Sequence, residues 1–172
     1  PSFVSILHAY EVPGEGGQTE FASMRAGYAR LSDEMRERIE PLHVVHDYLF
    51  SRGPIAPVNP NHAASLPPVM HPMVRTNPVN SLKNYYIGSH ARSIPGWSGI
   101  DSRQLLDTLL EHTTAPERIL SLAFKPGDTV IWDNRCILHR GTGYDADRWR
   151  RRLRQTRVVG SDKGVIPKPL QE

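Results

Sequence analysis

Proline closes several of the apolar and periodic runs in this chain, which favours short pieces of regular structure. It has no amide hydrogen to give a helix or a ladder, and it crowds the residue before it, so a run that meets one tends to stop there. Pro13 ends a β-branched and aromatic run that begins at Phe3, Pro41 ends a helical pattern, and Pro126 stands in a tight turn between two apolar runs. With 15 prolines among 172 residues and 38% hydrophobic residues, the expectation is short strands and long loops, not a helical bundle. A chain of this length needs one core and can bury roughly two thirds of its unfolded surface. Residues 1–172 therefore read as a single domain.

Periodicity and turn chemistry set the order of elements. Residues 3–12 and 18–21 read as strands on either side of the turn Pro13-Gly14-Glu15-Gly16-Gly17. That turn lacks the Gly-Lys-Ser/Thr ending of a phosphate-binding loop, and no long helix directly follows it. Residues 23–31 and 32–39 have helical spacing, with Ser32 as the N-cap of the second helix. Residues 42–50 mix valines with aromatic side chains and read as a strand. On a strand His43 and His46 point to opposite faces, which argues against a metal site made with Asp47. Residues 51–72 read as a long loop of the kind that forms active-site lids. Residues 73–76 and 85–88 read as a hairpin with Lys83 near its turn. Residues 99–113 form an amphipathic helix on Ile100, Leu105, Leu106, Leu109 and Leu110, capped by Ser102 or Asp101. Strands are expected again at 118–124, 129–132, from 137 to 139, and at 149–159.

The net charge of +3 hides an asymmetry, because six arginines fall within residues 148–157 and the rest of the chain carries −3. Basicity is thus the property of one segment and not of a whole face, so no nucleic-acid partner is expected. No apolar run approaches the roughly 18 residues of a membrane span, and the first twenty residues lack the basic and apolar blocks of a signal peptide. A soluble, cytoplasmic chain with no membrane partner is the expectation. The lone Cys136 excludes an internal disulfide and a cysteine-rich zinc site, and reads as a small buried hydrophobe.

Chemistry is concentrated between Lys125 and Arg157. An apolar strand runs into Trp132, Asp133, Asn134 and Arg135, His139 ends the next apolar run, and the arginine-dense segment follows about a dozen residues later. Side chains on a strand alternate, so Arg151, Leu153 and Gln155 share the inward face while Arg150, Arg152 and Arg154 take the other. Thr19 is a hydroxyl beside the glycine turn, read locally as a β-former on an edge strand. His90 and Arg92 follow a strand end, where they either meet an anionic substrate or stay solvated.

These residues carry a resemblance. The runs GGQTEF, HPMVRTNP, YYIGSHA, GDTVIWDNRCILHR and RRRLRQTRVVG resemble the Fe(II)- and 2-oxoglutarate-dependent dioxygenases that include taurine dioxygenase and 2,4-dichlorophenoxyacetate dioxygenase. The likeness implies a double-stranded β-helix, or jelly roll, with helices outside it. It also implies a facial triad of a His-X-Asp/Glu pair and a distal histidine, matched here by His139, with open positions for 2-oxoglutarate and O₂. An arginine 11 or 12 positions beyond that histidine binds the far carboxylate of 2-oxoglutarate. Arg150 and Arg151 both fit by count, and strand parity favours Arg151. The planar guanidinium fork suits the task, since it can give two parallel hydrogen bonds to a carboxylate. Thr19 matches a further co-substrate contact. The implied reaction couples decarboxylation of 2-oxoglutarate to succinate with hydroxylation of a small organic anion, aryloxyalkanoate-like or sulfonate-like.

The sequence also departs from the family pattern. No His-X-Asp or His-X-Glu occurs in it, so only one of the three iron ligands is present and the first strands of the jelly roll are expected to be missing. Where taurine dioxygenase turns a second arginine toward the substrate's sulfonate, this chain has Gln155. A truncated or noncatalytic jelly-roll domain without iron therefore stands as the alternative, and an arginine-rich nucleic-acid binder stands behind it. Assembly into a homo-oligomer is left open.

Overall fold

The computed structural model describes residues 2–53, 57–158 and 168–169. In chain order the strands are β1 (Val4–Glu11), β2 (Thr19–Ser23), β3 (His43–His46), β4 (Val69–Pro72), β5 (Val74–Thr76), β6 (Lys83–Tyr85), β7 (Ala91–Ser93), β8 (Leu120–Leu122), β9 (Thr129–Asp133), β10 (Ile137–Gly141), β11 (Arg152–Val158) and β12 (Lys168–Pro169). The helices are α1 (Met24–Ala29), α2 (Asp33–Ile39), α3 (Tyr48–Arg52), α4 (Pro60–Ala64) and α5 (Gly99–Thr113). They form two compact units, one of Pro1–Ser23 with Thr114–Ser161 and the other of Met24–Thr113 with Asp162–Glu172.

The first unit is all strand apart from a short 3₁₀ turn at Pro116–Arg118. Its two antiparallel sheets have the orders β11-β1-β9 and β10-β2-β8. Trp132 on β9 is the wedge between them, its ring edge-on to Phe21 on β2 at 5.4 Å and 4.8 Å from the imidazole of His139 on β10. β2 is a middle strand and not an edge, which buries Thr19 to 3% exposure. The strand expected over 149–159 begins only at Arg152, while Val159 lies outside the described residues. A register shift between Ala9 and Glu11 opens β1 beside the start of β11, leaving Tyr10 unpaired in the ladder. Such bulges re-aim neighbouring side chains.

The second unit contains a four-stranded sheet, β12-β4-β3-β7, and the hairpin β5-β6. α5 buries Ser102, Leu105, Leu106, Leu109 and Thr113 along one face. Two expectations for α5 are corrected. Ile100 is 81% exposed, because it lies about half a turn away from that face. The cap is Ser98, whose hydroxyl accepts from the Asp101 amide at 3.1 Å and donates to its carboxylate at 2.6 Å, while Ser102 is buried and accepts from the Ile94 amide. Under the helix, the Tyr85 hydroxyl meets Thr113 Oγ1 at 2.5 Å, and Gly27 of α1 leaves that hydroxyl its room. Ser32 caps α2 as expected, accepting from the Met35 amide at 3.2 Å.

The strand read over 42–50 is also shorter than expected. It stops at His46 because Asp47 accepts from the amides of Leu49 and Phe50, at 2.9 and 3.4 Å, and starts α3 in its place. A carboxylate at an N-cap outweighs the β preference of the aromatic residues after it. The loop expected over 51–72 holds α4 and β4, and its residues 54–56 lie outside the described residues. The second hairpin strand begins at Lys83, two residues early, where Lys83 pairs with Glu40 at 2.5 Å.

Candidate active site

Cross-strand register decides which side chains meet. On β2 and β10, Phe21 pairs with His139 and Thr19 with Gly141. Directly paired residues project to one face, and so do residues two apart, so Thr19, Phe21 and His139 share a face. On the other sheet Ser5 pairs with both Trp132 and Arg157, and Leu7 with both Val130 and Gln155. The contacts of Trp132 with Phe21 and His139 show that these two faces look at each other.

Arg151 lies just before β11 and enters the same space. Its Nε donates to the Gly17 carbonyl at 2.9 Å, and its Nη2 donates to Thr19 Oγ1 at 3.2 Å. Gly17 is held at φ +67°, and a Cβ there would stand 2.5 Å from Pro13 Cγ and 3.3 Å from Arg151 Cδ. The glycine turn is therefore a seat for the arginine, its carbonyl fixing the guanidinium while other N–H groups remain for an anion. Arg150, the other residue that fits by count, is exposed.

His139 lies on the same face as Thr19, about one strand repeat along it, roughly 7 Å. Desolvation by the side chains around it, and after that the positive charge of Arg157, lower its pKa from the ordinary imidazole value. The shift favours the neutral form, which is the one that ligates metals. Among the described residues no group of three or more His, Cys, Asp or Glu could hold a metal ion. The donor set fits one corner of a three-ligand iron site and the carboxylate end of a 2-oxo acid, but not a complete iron site.

The remaining expected residues divide. Gln155 is on the inward face, exposed, and accepts from Arg157 Nη2 at 3.3 Å. His90 and Arg92 belong to the second unit. There the His90 ring meets Ser51 Oγ at 2.5 Å, and Arg92 pairs with Asp47 at 3.0 Å. His43 is exposed and His46 lies on the opposite face of β3, while Asp47 serves as a helix cap. Cys136 is buried.

Two features escaped the sequence reading. Arg157 continues the alternation of Arg151, Leu153 and Gln155 by one step, so period two extended along β11 would have found it. His46 and His71 also meet, with ring centroids 5.4 Å apart and Tyr86 and Arg75 beside them. This follows from the pairing of Val44 with His71 and of His46 with Val69, which was hidden because β4 read as loop.

Comparison with known proteins shows the family. The family model described as "Taurine catabolism dioxygenase TauD, TfdA family" matches residues 1–157. Alpha-ketoglutarate-dependent 2,4-dichlorophenoxyacetate dioxygenase of Burkholderia sp. (strain RASC) is 39% identical over 166 residues, covering 95% of this chain and 56% of that protein. The protein of the same name from Cupriavidus pinatubonensis is 40% identical over 164 residues, with coverages of 94% and 56%. The crystal structure of AAD-2 in complex with Mn(II) and N-oxalylglycine superposes with a TM-score of 0.87 at 38% identity, covering 94% of this chain and 65% of that one. The chain thus spans a little over half the length of the curated relatives it matches. It shares the jelly-roll, double-stranded β-helix fold of its structural neighbours. The chain belongs to the TauD/TfdA family of dioxygenases.

Proposed function

We propose that this chain carries the 2-oxoglutarate anchor and the distal iron ligand of a non-haem Fe(II)- and 2-oxoglutarate-dependent dioxygenase acting on a small organic anion. The observation that carries the reading is the Arg151 guanidinium, held by Gly17 and Thr19 on the face that also bears His139. Arg151 gives two directed N–H groups to the far carboxylate of 2-oxoglutarate, and Thr19 adds a hydroxyl. Trp132, itself edge-on to Phe21, packs against one side of the otherwise exposed imidazole. His139 would offer a ring nitrogen to iron, which when bound would supply the activation of O₂. The two further protein ligands would come from a His-X-Asp/Glu segment that this sequence does not contain. Relatives named for 2,4-dichlorophenoxyacetate, (S)-phenoxypropionate and sulfate esters support an aryloxyalkanoate-like or sulfate- or sulfonate-like substrate class.

Release of succinate from 2-oxoglutarate tests the proposal, measured for the 172-residue chain and for the chain joined to a His-X-Asp segment from a relative. The chain alone should be inert. The joined protein should release succinate with iron, and lose that activity on His139→Ala. A joined protein that folds, yet neither binds iron nor releases succinate, would favour a noncatalytic jelly-roll domain.

A further inference from the structure

Three of the five residues from Pro13 to Gly17 are glycine, so the turn that seats Arg151 has little stiffness of its own. It nevertheless holds a demanding shape. Gly16 and Gly17 follow one another at φ +72° and +67°, left-handed values that an unsupported chain does not keep. The restraint comes from residues 142–149.

That stretch first runs beside the turn. The Thr142 amide donates to the Gln18 carbonyl at 2.9 Å, and the Gly17 amide donates to the Gly143 carbonyl at 3.0 Å. Gly17 is thus held from both sides, by Gly143 at its N–H and by Arg151 Nε at its carbonyl. The chain then doubles back. The Asp145 carboxylate accepts from the amides of Asp147 and Arg148 at 3.1 and 3.2 Å, and the Asp145 carbonyl accepts from the Trp149 amide at 2.9 Å. An aspartate that caps its own turn in this way returns Trp149 to the glycines. The six-membered part of its ring lies so close to Gly14 that a Cβ there would stand 2.7 Å from Cη2 and 2.8 Å from Cζ2. The Arg148 guanidinium lies over the indole, 4.9 Å from the ring centroid, and adds a cation–π contact. Hydrogen bonds hold the Gly17 end of the turn, and the indole holds the Gly14 end. Two residues after Trp149 the chain delivers Arg151 to the Gly17 carbonyl.

We propose that Trp149 is a positioning residue for the co-substrate: its indole clamps the glycine turn, and the clamped Gly17 carbonyl sets the angle of the Arg151 guanidinium toward the far carboxylate of 2-oxoglutarate. The assignment rests on the reading of Arg151 given above. Trp149 acts through the turn and not by touching the ligand. A rigid aromatic plane suits the task, because it fills the space over Gly14 with only two side-chain torsions to fix.

Calorimetric titration of the 172-residue chain with N-oxalylglycine tests the clamp. Trp149→Leu should weaken binding roughly tenfold or more, with the thermal transition unchanged. Trp149→Phe, which keeps a ring near Gly14, should recover part of the loss. Gly14→Ala drives a methyl into the indole from the other side and should repeat it. In an Arg151→Lys background the Nε bond to Gly17 is gone, so there Trp149→Leu should cost no further affinity. An equal loss in both backgrounds would show packing that is not transmitted through Arg151 and would overturn the assignment, as would unchanged affinity in the Trp149→Leu chain. Should Trp149→Leu fail to fold, Gly14→Ala carries the same comparison in the two backgrounds. If the native chain fails to bind N-oxalylglycine, the reading of Arg151 falls and the clamp with it. Binding that survives Trp149→Leu leaves Arg151 in place and removes only Trp149.

Discussion

Arg151 is restrained before any ligand arrives, and the restraint is local. Gly17 supplies both the carbonyl that holds Nε and the absence of a Cβ that lets the side chain lie across the turn. Gly17→Ala would strain a positive φ and drive a methyl into the Pro13 ring. It should cost about 1–3 kcal/mol in urea unfolding and weaken N-oxalylglycine binding with it. Thr19→Val keeps the shape of Thr19 but removes one acceptor from Nη2. A hydrogen bond to a charged group contributes roughly 1.5–3 kcal/mol, so at least a tenfold loss of N-oxalylglycine affinity is expected by calorimetry. Neither effect could be quantified from sequence. The glycine turn and the threonine were visible there, but their contact with an arginine 132 positions away was not.

At the scale of elements, the strand period was the most informative signal. Alternation along the arginine-rich segment favoured Arg151 over Arg150 and put Leu153 and Gln155 on one face; β11 begins only at Arg152, and its register places Leu153 opposite Ala9 and Gln155 opposite Leu7. Alternation also put His43 and His46 on opposite faces, as observed. The reading failed where a side chain competed with the backbone pattern. Asp47 turned an aromatic strand pattern into a helix start, and Ser98 moved the cap of α5 by three or four residues. Such bonds are decided within three residues and leave little trace in a hydrophobic pattern. β4 was missed for another reason: a strand of four residues in a proline-rich stretch has too few alternations to register.

The β3–β4 pairing has a consequence for acid stability. Burial holds His46 at a pKa of about 3 and His71 at about 4; the charges of His71, His90 and Arg75 act in the same direction on His46, and that of Arg75 on His71. In the unfolded chain both return toward 6.5 and take up protons first, so their stabilising contribution is full above pH 6.5 and falls as the pH drops toward 4. Thermal melts should decline over that window, by on the order of 1–2 kcal/mol per histidine at pH 5. His71→Gln should flatten the decline. A melting temperature constant from pH 7 to pH 5 would mean that both rings open freely to water.

For the molecule as a whole, the arginine-dense segment divides its charges between two tasks. Arg151 faces the site, and Arg152 is paired with Glu11 on the opposite side while lying over the Tyr10 ring. A phosphate backbone would need several such cations on one exposed face. Binding to duplex DNA should accordingly be weak at 50 mM salt and undetectable at 200 mM. A steep linear salt dependence with submicromolar affinity would contradict that division. Family membership was legible from the sequence because the motif residues are close together in the chain. The convergence of β2, β9, β10 and β11 on one face was not, because it depends on pairings between the two ends of the first unit.

The wedge of Trp132 between the sheets also gives the chain an internal optical gauge. An indole whose centroid is 4.8 Å from that of an imidazole is within contact range of whatever the imidazole holds. In the chain joined to a His-X-Asp segment, a transition metal held with His139 as one ligand should dim the emission of Trp132, chelation should restore it, and Trp132→Phe should abolish the response while Trp97 and Trp149 continue to emit. Occupancy of the completed site could then be followed in real time, with no turnover required.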